Sequence, residues 1–196
     1  MIIYEPFWKN YIVQSTDPVF SIDECNKIIE LGRTLPQQDS EIRTSGNDKR
    51  KSEKDYKKRR TDVAWIPFNK ASWMYNRLQH WMHTINNRHM GFNQLQIGEM
   101  AQFTTYKKGD HYDWHVDSNY EFSKEPGVRK MSMGILLNSP KEFTGGELQI
   151  IDTQKSLSLR QGFAVFFASF IAHRILPVKK GTRISMVNWF GGPPLT

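Results

Sequence analysis

The sequence predicts an α+β fold, mainly β, in which a jelly-roll core follows two N-terminal helices that pack on one of its sheets. Two observations support this prediction. Apolar residues recur at helical spacing in two segments before about residue 92, whereas the rest of the chain consists of short extended segments separated by turns. Because 196 residues can bury one sizeable core, we expect a single domain over 1–196, helical to about 92 and β from about 93 to 192.

Both predicted helices have local sequence signals. Ser21-Ile22-Asp23-Glu24 is a capping box with Ser21 as the N-cap, so a first helix should run over about 21–34. A second helix should run from about Asn69 to Asn87. The apolar stripe of this second helix consists of Trp73, Leu78, Trp81, Met82 and Ile85.

The segment between the two helices is polar and basic. Residues 40–60 carry a Ser45-Gly46-Asn47-Asp48 turn signal, and lysine and arginine cluster between residues 49 and 60. This composition predicts an exposed, mobile loop, because the residues before it are too few for a separate core. The basic part, 49–60, has two interpretations. It is either a solvated run of charges without function, which is the default, or a lid that draws an acidic substrate towards an active site.

Eight extended segments follow the second helix, and turns such as Thr144-Gly145-Gly146 and Lys179-Lys180-Gly181 separate them. Gly145 and Gly146 are expected to serve their turn. The segments are residues 95–106, 112–117, 130–137, 146–151, 157–159, 164–168, 173–178 and 183–190. Short strands at nearly even spacing are typical of a β-sandwich or jelly roll.

Composition limits the class of protein. The net charge of +7 permits acidic partners, nucleic acid included, but decides little about function. The single cysteine, Cys25, excludes an intramolecular disulfide. No apolar run approaches the length of a bilayer span, and the first residues lack the basic and apolar segments of a secretory signal. We therefore expect a cytoplasmic protein without membrane contact.

Three residues have the chemistry of an iron site: His115 and Asp117, which are two positions apart, and the distant His173. Two imidazoles and one carboxylate occupy half of an octahedral sphere around Fe(II) and leave positions open for a cosubstrate and O2. In a strand, residues i and i+2 project to the same side, so His115 and Asp117 could face one ion. His173 would then arrive from a non-adjacent strand.

An ordered series between about residues 100 and 190 is more specific than this triplet alone. It reads Tyr106-x-x-Gly109-x-x-Tyr112-x-x-His115-x-Asp117, Arg129…Leu137-Asn138, Gly145-Gly146-Glu147-Leu148, and Gly162…Phe166…His173…Pro177-Val178…Gly181-x-Arg183…Trp189. The series resembles the Fe(II)- and 2-oxoglutarate-dependent dioxygenases, and within them the prolyl-4-hydroxylase-like group. Residues 59–65 also resemble the segment that these enzymes carry before their second helix.

The resemblance implies a double-stranded β-helix core and a hydroxylase, with peptidyl proline as the leading substrate. It implies that His115, Asp117 and His173 bind Fe(II). It also implies that Arg183 pairs with the distal carboxylate of 2-oxoglutarate and that Tyr106 hydrogen-bonds to this cosubstrate. Arg183 is expected to begin a strand beside that of His173. O2 is the second cosubstrate, and ascorbate is a further candidate cofactor. In several relatives a tyrosine on the strand after Arg129 also holds the cosubstrate, but residues 131–137 contain none.

The substrate is open at this point. Arg59, Arg60, Trp65 and Trp189 are the candidates for substrate contact, and Tyr112 is expected to be structural. A peptide or protein is the leading partner by resemblance. Nucleic acid, which the basic loop would attract, and a small metabolite could use the same iron site. A further alternative is a non-catalytic, cupin-like module that binds a metal such as zinc.

Overall fold

A computed structural model describes residues 9–39, 58–118, 127–150 and 156–193. Most of the basic loop predicted at 49–60 lies outside the described residues. The described part contains two α-helices, α1 (Ile22–Thr34) and α2 (Ser72–Ile85), and α2 continues into a π-helical turn at Asn86–Met90. Its strands are β1 (Ile12–Gln14), β2 (Gln38–Asp39), β3 (Arg59–Arg60), β4 (Asp62–Ile66), β5 (Gln96–Ile97), β6 (Ala101–Tyr106), β7 (His111–His115), β8 (Val128–Leu136), β9 (Phe143–Gly145), β10 (Leu148–Ile150), β11 (Ser156–Leu157), β12 (Ala164–Ala168), β13 (His173–Ile175), β14 (Val178–Gly181) and β15 (Arg183–Gly192).

Helix α1 begins as its capping box predicts. The Ser21 hydroxyl accepts a hydrogen bond from the Glu24 N–H at 3.2 Å, and the Glu24 carboxylate accepts one from the Ser21 N–H at 2.8 Å. Helix α2 starts three residues later than predicted, because a 3₁₀ turn at Phe68–Lys70 follows Pro67. The π-helical turn after α2 ends at Gly91, which has a positive φ of 71°.

The predicted apolar stripe of α2 is wrong at one position, Trp73. Trp73 is 40% exposed, and its ring contacts Phe20 edge-on with centroids 5.7 Å apart. The face that α2 buries passes through Met74 and Leu78 and continues through Met82 and Ile85. Trp73 precedes Met74 by one residue, about 100° around the helix, which turns its side chain towards the edge of the core.

Two antiparallel sheets form the predicted jelly roll. The larger sheet has the order β1-β12-β8-β15-β6-β4-β2, with β5 also paired to β15, and the smaller sheet has the order β11-β10-β13-β7-β3. Strands β9 and β14 form a separate pair. The sheets pack against each other where Leu148 and Ile150 of the smaller sheet contact Val165 and Phe167 of the larger one.

The larger sheet separates an apolar layer from a polar layer. On β15, Ile184, Met186 and Phe190 join the core that the two helices cover, as predicted for helices packed on one sheet. Because side chains alternate along a strand, Arg183 and Trp189 project from the opposite face, towards the smaller sheet. On the strands beside β15, the same face carries the polar side chains Gln102, Thr104, Tyr106 and Ser132. The space between the two sheets is therefore not a purely aliphatic core at this point.

The structure differs from the predicted strands in two ways. Strands β1 to β4 lie before residue 92, in the part of the chain that was predicted to be helical. These short strands complete the sheets by long-range pairing, as when β3 pairs Arg59 with Tyr112. In addition, Arg183 does not lie beside the strand of His173. Strand β15 pairs with β5, β6 and β8 in the larger sheet, whereas His173 belongs to the smaller one.

Candidate metal centre

Strands β7 and β13 bring the two predicted histidines together. His115 is the last residue of β7 and His173 is the first of β13, and the two are direct partners across this antiparallel pair. The prediction of a non-adjacent strand for His173 is therefore wrong, because the two strands are hydrogen-bonded neighbours. Two strands that are far apart in the sequence are therefore paired at this point of the smaller sheet.

Asp117 reaches the same place from outside the strand. It lies two residues after the end of β7, so the expected alternation within one strand does not place it. Instead, the backbone N–H groups of Asp117 and Ser118 both donate to the carbonyl of Ser169, each at 2.9 Å. This pair of hydrogen bonds fixes the chain after β7 and aims the carboxylate at the two imidazoles.

The three side chains are spaced as ligands of one ion. Asp117 Oδ1 lies 3.7 Å from His115 Nε2, and Asp117 Oδ2 lies 3.6 Å from His173 Nε2. All of the potential ligand atoms fall within 4.8 Å of one another. Ligands that are each about 2.1 Å from one metal ion lie about 3–4 Å apart, so the spacing fits an ion between them.

Backbone carbonyls fix the tautomer of both histidines. His115 Nδ1 lies 2.8 Å from the carbonyl of Asp113, and His173 Nδ1 lies 3.0 Å from the carbonyl of Ile171. A carbonyl can only accept, so Nδ1 of each ring carries the proton and donates. The lone pair of each ring is then on Nε2, which faces Asp117. Metal-binding histidines in proteins are commonly held in this way.

The ionisation of the cluster also suits a cation. Burial lowers the pKa of His115 to about 3, and repulsion from His173 acts in the same direction, so this imidazole is neutral near pH 7. Burial alone would raise the pKa of Asp117, but attraction from His173 and His115, with smaller contributions from Ser132 and Trp189, lowers it overall. Asp117 Oδ2 is buried and accepts no hydrogen bond within the described residues. A bound cation would satisfy this buried oxygen.

Tyr112 lies against the centre, although it was expected to be only structural. Its ring stacks on that of His115, with centroids 3.5 Å apart and planes at 11°. The Arg59 guanidinium lies 4.4 Å from the Tyr112 centroid, and burial raises the pKa of Tyr112 to about 12. The phenol therefore stays neutral at physiological pH. Its place in the ordered series, three residues before His115, was the available signal for this role.

Arg183 is a buried cation that pairs with no carboxylate in the described part of the chain. Only 6% of the residue is exposed, and no described carboxylate forms an ion pair with it. Its Nη1 donates to Ser185 Oγ at 2.7 Å, and its guanidinium carbon lies 5.6 Å from the Tyr106 centroid. Burial lowers the pKa of Arg183, but an arginine stays protonated in a protein. The residue therefore needs an anion, and its fork suits a carboxylate.

Tyr106 and Ser185 complete the surroundings of Arg183. Tyr106 is the register partner of Arg183 on β6, and burial raises the pKa of its phenol, which stays protonated. Sequence reasoning proposed Tyr106 and missed Ser185. Ser185 is two residues after Arg183 on the same strand, and this spacing, which places both side chains on one face, was the available signal.

Gly146 leaves space for Arg183. A Cβ atom at Gly146 would lie 3.0 Å from Arg183 Cδ and 2.9 Å from Val178 Cγ2. Gly145 and Gly146 have positive φ angles of 76° and 70°, which is the turn geometry predicted for them. The second glycine therefore has an additional role, since a side chain there would displace the arginine.

The four candidate substrate residues fall into two groups. Trp65 and Trp189 lie together, with ring centroids 6.1 Å apart, and Arg59 donates from Nη2 to Gln102 Oε1 at 2.9 Å. Arg60 points elsewhere, with a side chain 61% exposed and its Nε 3.0 Å from Asp110 Oδ1. It borders a polar cleft of about 580 Å³, and none of His115, Asp117 and His173 lines this cleft. Arg60 therefore lies apart from Arg59, Trp65 and Trp189.

Comparison with known proteins agrees with this geometry. Residues 101–191 match the family model described as the 2OG-Fe(II) oxygenase superfamily. The match covers the β-core, just under half of the chain. The matched region includes the His-Asp-His cluster, Arg183 and Trp189.

Part of the chain is also similar to curated relatives. It is 36% identical over 92 residues to a PKHD-type hydroxylase of Psychrobacter sp. (strain PRwf-1), an alignment that covers 44% of this chain and 36% of the relative. It is 37% identical over 87 residues to a PKHD-type hydroxylase of Idiomarina loihiensis, covering 43% of this chain and 38% of the relative. The chain therefore aligns with well under half the length of these relatives.

Solved structures share the fold along most of the chain. A viral collagen prolyl hydroxylase from Paramecium Bursaria Chlorella virus-1, in complex with 2-oxoglutarate, superposes with a TM-score of 0.68 at 19% identity, covering 92% of this chain and 96% of that one. A prolyl-4-hydroxylase from Pseudomonas putida gives a TM-score of 0.64 at 19% identity, with 94% of each chain covered. In the described residues, no helix combines the length and the apolar composition that a membrane span requires.

Proposed function

We propose that this protein is an Fe(II)- and 2-oxoglutarate-dependent dioxygenase that hydroxylates a C–H bond, with His115, Asp117 and His173 as its iron ligands. The observation that carries this proposal is the cluster in which both Nε2 atoms face the Asp117 carboxylate, whose buried Oδ2 accepts no hydrogen bond within the described residues. A 2-His-1-carboxylate set of this kind is typical of non-haem Fe(II) oxygenases. The match of residues 101–191 to the model of the 2OG-Fe(II) oxygenase superfamily supports the same chemistry.

Arg183 would anchor the cosubstrate. It is a buried cation on the face of the larger sheet that looks towards the smaller one, and its fork could form two charge-assisted hydrogen bonds to the distal carboxylate of 2-oxoglutarate. The Ser185 hydroxyl orients the guanidinium, Gly146 leaves room for its side chain, and the protonated phenol of Tyr106 is a donor for the same ligand. Together these residues would fix the cosubstrate relative to the three iron ligands.

Bound iron, 2-oxoglutarate and O2 would supply the oxidising power, releasing succinate and CO2 as one oxygen atom enters the substrate. The protein contributes geometry and exclusion of water. The two carbonyl acceptors hold the imidazoles by their Nδ1–H groups, and Ser169 holds the backbone of Asp117. The low exposure of the three side chains, 12% for His115, 7% for Asp117 and 8% for His173, would limit the access of bulk water to the reacting groups. Ascorbate is a candidate reductant that would keep the iron ferrous.

We propose a prolyl residue of a peptide or protein as the substrate. Tyr112 lies against the cluster, and Trp65 and Trp189 form an aromatic pair on the larger sheet; a pyrrolidine ring packs well beside aromatic side chains. Arg59 lies beside Tyr112 and keeps a buried Nε–H without a partner in the described part of the chain. Among similar structures, a prolyl hydroxylase from Trichoplax adhaerens is in complex with a hypoxia inducible factor peptide fragment.

The test is formation of succinate from 2-oxoglutarate, with Fe(II) and ascorbate, across proline-containing peptides, matched alanine peptides and short oligonucleotides. We expect turnover that proline peptides stimulate and alanine peptides do not. Stimulation by oligonucleotides that falls steeply as salt rises would identify nucleic acid instead. Stimulation by a small metabolite alone would exclude the peptide substrate. Absence of turnover with every substrate would favour the non-catalytic, cupin-like alternative and overturn the proposal.

A further inference from the structure

Within the described residues, a second buried polar group near Asp117 has no hydrogen-bond partner, namely the indole N–H of Trp189. Only 7% of Trp189 is exposed, and its Nε1 makes no hydrogen bond within the described residues. An indole nitrogen can donate but cannot accept. A buried donor without an acceptor is unfavourable and calls for an explanation from the surroundings.

The sheet register places this indole next to the carboxylate. Trp189 on β15 is the direct partner of Ser132 on β8. Ser132 Oγ lies 2.8 Å from Ser169 Oγ, and the carbonyl of Ser169 accepts the N–H of Asp117 at 2.9 Å. Ser132 and Trp189 also contribute to the lowered pKa of Asp117, so both side chains lie near its carboxylate.

An ion pair holds the ring of Trp189. The guanidinium carbon of Arg129 lies 3.9 Å from the Trp189 centroid. Arg129 Nε donates to Glu99 Oε1 at 2.6 Å, and its Nη2 donates to Glu99 Oε2. Both side chains are largely buried, which strengthens a fork-to-carboxylate pair. This arrangement covers one face of the indole and fixes its plane, while leaving the N–H edge free.

We infer that Trp189 is a positioning residue for Asp117, and that its indole N–H donates to the carboxylate oxygen that a bound metal ion leaves free. This inference rests on the proposed metal centre. A carboxylate that gives one oxygen to a metal keeps a second oxygen, and a donor to that oxygen fixes the carboxylate's rotation. Arg129 and Glu99 act on Asp117 only indirectly, because they hold the indole of Trp189 in place.

Binding of Co(II) to the metal-free protein, measured by calorimetry, tests the inference without catalysis. Trp189→Phe keeps a ring but removes the N–H, and we expect it to weaken Co(II) binding about tenfold or more. Trp81→Phe is the matched control, because Trp81 stacks on Phe166 on the helix side of the sheet, and it should bind Co(II) as the wild type does. Equal affinity of Trp189→Phe and wild type would overturn the inference and leave the metal centre standing. Failure of the wild type to bind Co(II) would overturn both.

A second measurement uses the unaltered protein. In spectra of ¹⁵N-labelled protein, the Trp189 indole signal is the one that Trp189→Phe lacks. Addition of the diamagnetic ion Zn(II) should move this signal downfield and slow its exchange with water, because the metal ion fixes the carboxylate and brings its free oxygen into hydrogen-bonding position for the N–H. Glu99→Gln should reduce that shift by loosening Arg129. An indole signal that stays in place in the Zn(II)-saturated wild type would contradict the inference, whatever the variants do.

Discussion

His115 and His173 are direct partners across the antiparallel pair of β7 and β13, and their ring centroids lie 4.1 Å apart. The spacing of the two imidazoles is thus set by the register of a sheet, whereas Asp117 is set by a chain segment bonded to Ser169. A slip of one residue in this register would turn one histidine to the opposite face. The candidate centre therefore depends on the fold of the whole smaller sheet.

Asp117→Ala should abolish 2-oxoglutarate turnover and weaken Co(II) binding by more than about 100-fold, because it removes a ligand and not only a supporting contact. The fold should persist, since the backbone N–H of residue 117, which alanine retains, bonds to Ser169. Asp113→Ala is the control, because the Asp113 side chain is exposed and only its carbonyl contacts His115. Retained turnover in Asp117→Ala, with circular dichroism confirming the fold of both variants, would exclude Asp117 as a ligand.

Arg183→Ala should raise the KM for 2-oxoglutarate. Loss of a charged hydrogen-bonding partner costs about 1.5–3 kcal/mol, which corresponds to about 10- to 150-fold. Lys180→Ala removes an exposed positive charge from the neighbouring strand β14 and should leave this KM unchanged. Steady-state kinetics in 2-oxoglutarate at a saturating peptide concentration distinguish the two. If the KM of Arg183→Ala matches the wild type, the residue does not anchor the cosubstrate.

Gly146→Ala should also raise the KM for 2-oxoglutarate, because the added Cβ displaces the Arg183 side chain. Gly109→Ala is a matched control, since Gly109 has a φ of 87° but no atom within 4 Å of an added Cβ. Both variants should lose about 1 kcal/mol of stability through the unfavourable φ. Only Gly146→Ala should change the KM. A parallel change in both variants would show that backbone strain, and not the displaced arginine, is responsible.

The metal-free protein should lose stability as the pH falls below about 6.5. The pKa of His115 is about 3 in the folded protein and near 6.5 when unfolded, so the unfolded state binds a proton that the folded state does not. The free energy of unfolding should therefore fall by up to about 1.4 kcal/mol per pH unit from this group between pH 6.5 and 3. Above pH 6.5 the group contributes no slope.

Urea denaturation in the presence of a chelator measures this slope. His115→Gln should flatten it, whereas His83→Gln, which alters an exposed residue of α2, should retain it. If the slope of His115→Gln equals that of the wild type between pH 6.5 and 5, burial of His115 is not the source of the pH dependence.

Signals that are local in sequence were predicted well. The Ser21 capping box sets the start of α1, and β12 spans the predicted residues 164–168 because buried apolar residues and the turn at Gly162 delimit it. The jelly roll followed from strand spacing, and the structure confirms it. The clustering of His115, Asp117 and His173 was expected from the ordered series, and their role as ligands stays a prediction.

Features that depend on long-range pairing were not predictable in the same way. Strand β3 has two residues, and only its pairing with β7 distinguishes it from a loop. The position of Asp117 depends on a hydrogen bond to Ser169, and the clearance at Gly146 depends on Arg183 from another strand. None of these relationships leaves a pattern within a short window of sequence.

A crystal structure of the protein with Mn(II) and 2-oxoglutarate, with the metal located by anomalous scattering, tests the central claim most directly. Mn(II) should lie about 2.0–2.3 Å from Nε2 of His115, Nε2 of His173 and one carboxylate oxygen of Asp117. The distal carboxylate of 2-oxoglutarate should contact the Arg183 guanidinium. Mn(II) bound elsewhere, for example among the carboxylates of the cleft beside Arg60, or 2-oxoglutarate without contact to Arg183, would contradict the account.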